Sequence, residues 1–489
     1  MQRNRILNEC SNESEHSQWR RDFLKKLGGG FGYLALSAIA AQNALADAGA
    51  ATPANSLAPR PPHFPARAKR VIFLFMHGGP SQMDTFDPKP RLNELHGQPL
   101  PYKLDGFLAQ RDGERKLKGS PFAFKQHGQS GAWVSEVFTH LTRHVDDLCF
   151  IKSLHTEGFA HGNATLMYHT GAASLVRPSM GAWISYGLGT ECQNLPSFIT
   201  ITPPPAHGGV QNYGSAFLPA VHQGTPIGKP YEPFQPDVAH ARNPRLTAVE
   251  QRRQLDFVQA INRRHAADAA DAQQIEGVIQ SLELAFRMQT EAPELIDLSG
   301  ESEATKKLYG IGEKGTDDFG RQCLLARRFS EAGVRFVQVS DEYRWDHHGE
   351  LDQKMPGTVA RVDKPIAGLL HDLKTRGLLE ETLVVWGGEF GRTAVAQAGK
   401  GKEDKTGRDH NPEAGVIWMA GGGVKPGVSY GATDEFGYFA QQDKVHIHDL
   451  HATILHLLGL DHGRLTYRHA GRDFRLTDIY GRVVEEVIA

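Results

Sequence analysis

The stretch VIFLFMHGGP, residues 71–80, decides the fold. Six consecutive apolar residues, Val71 to Met76, offer no face to water, and Gly78, Gly79 and Pro80 stop the run. A short apolar run bounded by turn residues marks a strand covered on both faces, as in a parallel sheet under helices. Runs of the same kind occur at 195–202, 334–339, 382–386 and 416–420, with helical patterns between them. The expected fold is α/β, a sandwich of helices about a mainly parallel central sheet. Ligands in such a fold belong at the C-terminal ends of the strands. A helical layer is expected over about 246–292, where Leu255, Val258 and Ile261, then Ile275, Val278, Ile279, Leu282 and Phe286, fall on apolar stripes. The Pro-rich stretch 203–236 reads as a long loop, a lid or a substrate wall.

The chain has 489 residues, 40% of them hydrophobic, with 54 Lys plus Arg against 56 Asp plus Glu. That balance excludes disordered, collagenous and integral-membrane classes. A net charge of -2 gives no global basic field, so no nucleic-acid partner is expected. The unusual count is 24 His, the residue that most often ligates metals and moves protons near neutral pH.

Residues 17–26 read SQWRRDFLKK and lead into a moderately apolar, Gly-rich stretch to Ala41, with small residues at Ala44 and Ala46. This resembles a twin-arginine export signal, and the apolar part is too short and interrupted to span a bilayer. The expected organisation is a signal peptide over 1–46, a linker over 47–70 and one domain over 71–489. The protein is then periplasmic or secreted, with the twin-arginine export machinery as a partner and no permanent membrane anchor. Cys149, Cys192 and Cys323 remain after cleavage, an odd number without close spacing, so no disulfide scaffold is expected.

Five groupings follow the predicted strands. His77 to Asp87 contains Ser81, Asp84 and Asp87, whose carboxylates suit a turn or a helix cap as well as a ligand. His155 to Gly171 contains His161, Asn163, Thr165 and His169 in a polar loop opening a helix, where free backbone N–H groups favour an anion. Ser340 to Gly349 carries Asp346, His347 and His348, and an Asp and a His two apart can aim at one ion. Gly387 to Thr393 carries Glu389 and Arg392, either a ligand beside an oxyanion clamp or an ion pair in a turn. The fifth, 407–412, reads GRDHNP and supplies Arg408 and His410.

In order, the segments HGGPSQMDTFDPKP, RWDHHGELDQKMP, LVVWGGEFGRT, GRDHNP, AGGGVKPG and DLHATILHLLGL resemble an uncharacterised family of exported bacterial proteins over about 71–484. That family is placed in the alkaline phosphatase and sulfatase superfamily. The resemblance implies an alkaline phosphatase-like α/β/α sandwich and a site for one or two divalent ions, Zn first, with Mn or Fe as the alternatives. It implies hydrolysis of phosphate or sulfate esters of a small molecule or polysaccharide. Carried over by position, Asp346, His348 and His410 resemble metal ligands, and Glu389 replaces an Asp ligand. His77 stands where the superfamily usually has Asp, with Asp84 as its substitute, and Arg392 and Arg408 would neutralise substrate oxygens. No formylglycine-type C-x-P-S-R segment is present. His161 falls at the nucleophile position, and attack by a metal-activated water or by Thr165 ranks above a covalent His161 intermediate. The rival reading, motivated by the missing nucleophile motif and by His77, is a degenerate member serving as an exported metal-binding or structural protein.

Overall fold

The computed structural model describes residues 57–236, 245–268, 272–399 and 402–489. The expected signal peptide and the first part of the expected linker lie outside the described residues. From residue 57 the linker expectation gives way to packing. Leu57 and Ala68 are buried, and the Arg67 and Ala68 amides both donate to the Leu457 carbonyl at 2.9 Å.

The strands of the central sheet are β1 (Arg70–Met76), β2 (Leu148–His155), β3 (Phe198–Ile201), β4 (Thr225–Ile227), β5 (Phe336–Asp341) and β6 (Thr382–Gly387). A hairpin outside that sheet, β7 (Gly391–Gly399) and β8 (Lys402–Asn411), comes next. It is followed by β9 (Gly415–Ala420), β10 (Val428–Tyr430) and β11 (Val445–His446), which rejoin the sheet. The order across the sheet is β10-β2-β9-β6-β1-β5-β3-β4, with β11 also pairing β2. All pairings are parallel except those of β9, which runs antiparallel to both β2 and β6.

Strand β1 shows why the sheet is covered twice. Ile72, Leu74 and Met76 enter one core with Leu324 and Phe329 of α5 (Asp317–Glu331) and Val359 and Leu369 of α6 (Leu351–Thr375). Val71, Phe73 and Phe75 enter the other. There they meet Met167 and Tyr168 of α1 (His161–Thr170), Trp183 of α2 (Met180–Leu188) and Ile454 of α7 (Ile447–Leu457). At about 1.5–3 kcal/mol for each large apolar side chain buried, this strand alone is a major tie between the layers. The expected helical layer consists of α3 (Ala248–Asp268) and α4 (Ala272–Ile296). Leu255, Ile279 and Leu282 are buried as their spacing requires, whereas Ile261 is exposed because the stripe at that end of α3 faces outward. No helix among the described residues is long and apolar enough to cross a membrane.

Candidate metal centre

The loops that follow β1 and β5 lie against each other at the sheet's C-terminal edge, and a glycine makes this contact possible. Gly78 has φ of 117°, and a Cβ there would meet the Asp346 amide nitrogen at 2.6 Å and Trp345 backbone at 2.9 Å. A side chain at position 78 would push Asp346 away. The hairpin approaches the same loop from the other side. The Arg408 amide donates to the His347 carbonyl (3.0 Å), and a Cβ at Gly407 would strike that carbonyl at 2.1 Å. His161 arrives on the first turn of α1, which follows β2.

These elements bring His161, Asp346, His348 and His410 together, with one ligand atom of each inside a 4.8 Å sphere of mutual distances. Asp346 Oδ1 is the hub, 3.3 Å from His161 Nε2, 3.0 Å from His348 Nε2 and 3.3 Å from His410 Nε2. A tetrahedron of donors at about 2.1 Å from a zinc ion has edges of about 3.4 Å, which these separations approach.

Each imidazole is held from behind by its Nδ1. His161 Nδ1 donates to Glu389 Oε1 (2.6 Å), His410 Nδ1 to the Phe159 carbonyl (3.1 Å), and His348 Nδ1 to Gln397 Oε1. With the proton on Nδ1 in all three, every Nε2 presents a lone pair to the common point. His348 Nε2 and His410 Nε2 then stand 3.0 Å apart, and His161 Nε2 has no hydrogen-bond partner in its buried position. Facing lone pairs repel unless positive charge lies between them. Three imidazoles and a carboxylate around one point are the donor set of a divalent transition ion, so the residues present fit such a group.

The surrounding charges pull in both directions. Burial pushes the Asp346 carboxyl up, but its contacts with His161, His348 and His410 and the Arg392 charge outweigh this and hold it far below the usual carboxylate range. Burial likewise raises Glu389, and its bond to His161 with the nearby His77 returns it below its ordinary value. His410 is lowered by burial, which favours the neutral ring a metal needs, whereas burial's lowering of His161 is outweighed by its contacts with Asp346 and Glu389, which raise it and favour its protonated form. The side chain of His348 is 37% exposed, so the cluster opens to solvent on that side. His347 turns away, its Nε2 meeting Thr358 Oγ1 of α6 at 3.2 Å.

The remaining residues anticipated from the sequence take other positions. Glu389 is fully buried behind His161, and its carboxylate also accepts from the Gly78 amide (3.0 and 3.2 Å), so it orients a ring where a direct ligand was expected. Asp84 is also displaced from the expected role. Its oxygens bind Arg408 at 2.6 and 3.1 Å, and both side chains are fully buried. Arg408 is therefore closed to a substrate. Arg392 is equally enclosed. It donates to the Gly79 carbonyl (2.9 Å), the Arg408 carbonyl (3.2 Å) and Asp346 Oδ1 (2.6 Å), so its charge acts through Asp346 rather than on substrate oxygens. His77 is outside the four, with its Nε2 at 2.9 Å from His207 Nδ1. Thr165 lies one turn into α1, fully buried, and its hydroxyl has no partner.

The family described as "Protein of unknown function (DUF1501)" matches residues 68–488. The chain belongs to this family. No curated protein sequence matches it. Among solved structures, the alkaline phosphatase of the Antarctic bacterium TAB5 is similar at 9% identity and a TM-score of 0.33, over 81% of this chain and 99% of that one. The lipoteichoic acid synthase LtaP of Listeria monocytogenes is similar at 10% and 0.34, over 90% and 81%. A protein in the alkaline phosphatase superfamily from Vibrio parahaemolyticus is similar at 10% and 0.33, over 88% and 74%.

Sequence reasoning missed several residues around the centre of this DUF1501 chain. His207, with left-handed backbone (φ 54°), places its ring 5.1 Å from that of His161. It comes from the Pro-rich loop, where no spacing signals it. Tyr343 donates to Asp346 Oδ2 at 2.5 Å, and burial together with Asp346 raises its phenol, so it is a proton donor at neutral pH. Phe390 stacks on His410 with ring centres 4.5 Å apart. The adjacency of Tyr343 to Asp346 and of Phe390 to Glu389 was the available signal.

Proposed function

We propose that this chain is a metal-dependent hydrolase of phosphate or sulfate esters. The observation that carries the reading is the convergence of three imidazole Nε2 atoms and Asp346 at an uncapped helix N-terminus. His161 is the first residue of α1, and its N-cap, Ala160, has no side chain able to accept from the helix. The first amides of α1 and the helix dipole therefore favour an anionic oxygen next to the cluster. A cation and a helix start side by side suit a tetrahedral ester anion better than simple ion storage.

His161, Asp346, His348 and His410 would hold the ion. Three imidazoles with one carboxylate suit Zn, Mn or Fe better than Ca. A divalent ion supplies Lewis acidity there, acidifying water and drawing charge from an ester oxygen. The protein's own groups do the rest. Glu389, Gln397 and the Phe159 carbonyl keep the Nδ1 protons in place, and Arg392 and Tyr343 keep Asp346 ionised and oriented. Phe390 and Tyr343 shield the His161 ring, with ring centres at 4.9 Å in each case. The burial of Thr165 supports water as the attacking group. The Arg20-Arg21 signal supports action in the periplasm or outside the cell after twin-arginine export.

The test is elemental analysis of the mature protein from an exporting host, beside Asp346→Ala and His348→Ala variants whose folding is checked by circular dichroism. Near-stoichiometric metal in the parent, its loss in the folded variants and metal-dependent turnover of an aryl phosphate or sulfate are expected. A parent that takes up no metal after Zn or Mn supplementation would refute the reading. Tight metal without turnover of either ester class would leave an exported metal-binding protein.

A further inference from the structure

His77 is prominent in the sequence, yet the metal cluster leaves it unused. It follows β1 directly and is fully buried, and its Nδ1 has no hydrogen-bond partner. Its Nε2 lies 2.9 Å from Nδ1 of His207. A proton on His77 Nδ1 would be a buried donor without an acceptor, which folded proteins seldom keep. The His77 proton therefore sits on Nε2 and is donated to His207 Nδ1. With Nδ1 accepting, the His207 ring carries its own proton on Nε2. That nitrogen has no partner among the described residues, and His207 is only half-buried.

The Pro-rich loop holds this ring against the centre at a cost. His207 and the two glycines after it, Gly208 and Gly209, all have positive φ, at 54°, 104° and 51°. Left-handed backbone costs a residue with a side chain about 1–2 kcal/mol, and it persists where the surroundings over-determine it. Asn212 Nδ2 donates to the His207 carbonyl at 3.1 Å, and a Cβ at Gly208 would meet Leu166 Cδ2 of α1 at 2.9 Å. The His207 ring centre is 5.1 Å from that of His161, 5.0 Å from Tyr343 and 5.0 Å from His77. In any orientation of the two rings, His207 Nε2 is then no more than about 7.5 Å from His161 Nε2, a ligand atom of the cluster. A tetrahedral anion spans that gap. One oxygen stands about 3.4 Å from His161 Nε2, as neighbouring donors do, a second lies about 2.5 Å further, and a hydrogen bond adds about 2.8 Å.

We infer that His207 Nε2 donates a hydrogen bond to a non-bridging oxygen of the ester anion at the centre, and that His77 is the positioning residue that fixes its tautomer. The inference rests on the ester-hydrolase reading of the same centre. Arg392 and Arg408 are enclosed, so the loop supplies a contact that neither arginine makes. A donor fixed before the anion arrives needs no reorganisation when charge develops on that oxygen. His207 is not a ligand of the ion in this account. It falls outside the group of four, and its Nδ1 is taken by His77.

The experiment uses the zinc-loaded mature protein with inorganic sulfate and inorganic phosphate as probes. Calorimetry gives the dissociation constants, elemental analysis the metal content, and nitrogen NMR of histidine-labelled protein the His207 tautomer. His207→Ala should weaken both anions about tenfold or more, the loss of one hydrogen bond to a charged group, with metal content unchanged. His207→Gln, whose amide nitrogen takes about the place of Nε2, should restore most of the affinity. His207→Asn, which mimics Nδ1, should not. The parent spectrum should show His207 protonated at Nε2 and bare at Nδ1, and His77→Phe should lose that preference. The spectrum is taken on the parent, so it decides the tautomer whether or not a variant folds. A parent His207 protonated at Nδ1, or equal anion affinity in parent and His207→Ala, overturns the role of His207 and leaves the ester site standing. Loss of metal from folded His207→Ala overturns it by making His207 a ligand. Failure of the parent to bind either anion overturns the ester site and this inference together.

Discussion

Asp84 offers a sharp separation between a ligand and a structural group, because the two roles predict opposite results for one substitution. Asp84 and Arg408 are both fully buried and are joined by contacts of 2.6 and 3.1 Å, with the Ser81 hydroxyl also donating to Asp84. Burial raises the Asp84 carboxyl, and Arg408 more than offsets this, leaving it ionised. Asp84→Ala strands a guanidinium whose remaining contact includes the Thr393 carbonyl at 3.2 Å. Removing one partner of a buried pair costs about 3–5 kcal/mol. With a urea slope of about 3–4 kcal/mol per molar, the unfolding midpoint should fall by about 1 M. The double variant Asp84→Leu with Arg408→Met removes both charges and should recover most of the loss, and the cycle of four proteins isolates the coupling. Metal content should persist in every folded variant, since neither residue is part of the cluster. Loss of metal from Asp84→Ala with an unchanged midpoint would refute this assignment and make Asp84 a ligand.

Glu389→Gln should weaken metal binding by about 10–100-fold in competition with a chromophoric chelator, because a neutral amide supports the His161 ring less well than a carboxylate. Unchanged affinity would show that Glu389 does not tune that ring. Stability should fall on acidification. Burial lowers His169 to about 4 and His222 and His451 to about 3, so all three are neutral in the fold and take up protons on unfolding. Their contribution is complete above the unfolded value of about 6.5 and is lost as pH falls toward the folded values. Each adds about 1.4 kcal/mol per pH unit across that window, about 4 for the three. A urea midpoint that stays constant from pH 7 to pH 5 would contradict this.

The strands read from the sequence were the ones with unbroken apolar runs, and β1, β3, β5, β6 and β9 all fall inside or overlap the expected segments. Strand β2 was missed because Lys152, Ser153 and His155 interrupt its pattern, although the sheet buries most of it. The reversed direction of β9 is invisible in its composition, since burial on both faces demands the same residues either way. Asp346, His348 and His410 were legible as residues grouped just past strands or before one. The division of labour among the charged residues was not. Asp84 and Arg408 are distant in sequence, so only the tertiary structure shows that they neutralise each other, and only it shows Glu389 standing behind His161 instead of beside it.

The reversal of β9 has a consequence for how this protein can diversify. Strand β6 delivers the chain to the ligand-bearing edge, and β9, being antiparallel to it, departs from that same edge. The excursion over 388–414 therefore never has to return across the sheet, as a parallel successor would require. The hairpin's stem is pinned by Arg392 and by the pairing of His410 with Arg392, and its strands pair with each other outside the central sheet. A change of length within 388–414 therefore leaves the strand alignments of the sheet intact. The segment that brings Gln397 and His410 to the cluster can thus change in length without rebuilding the sheet beneath it.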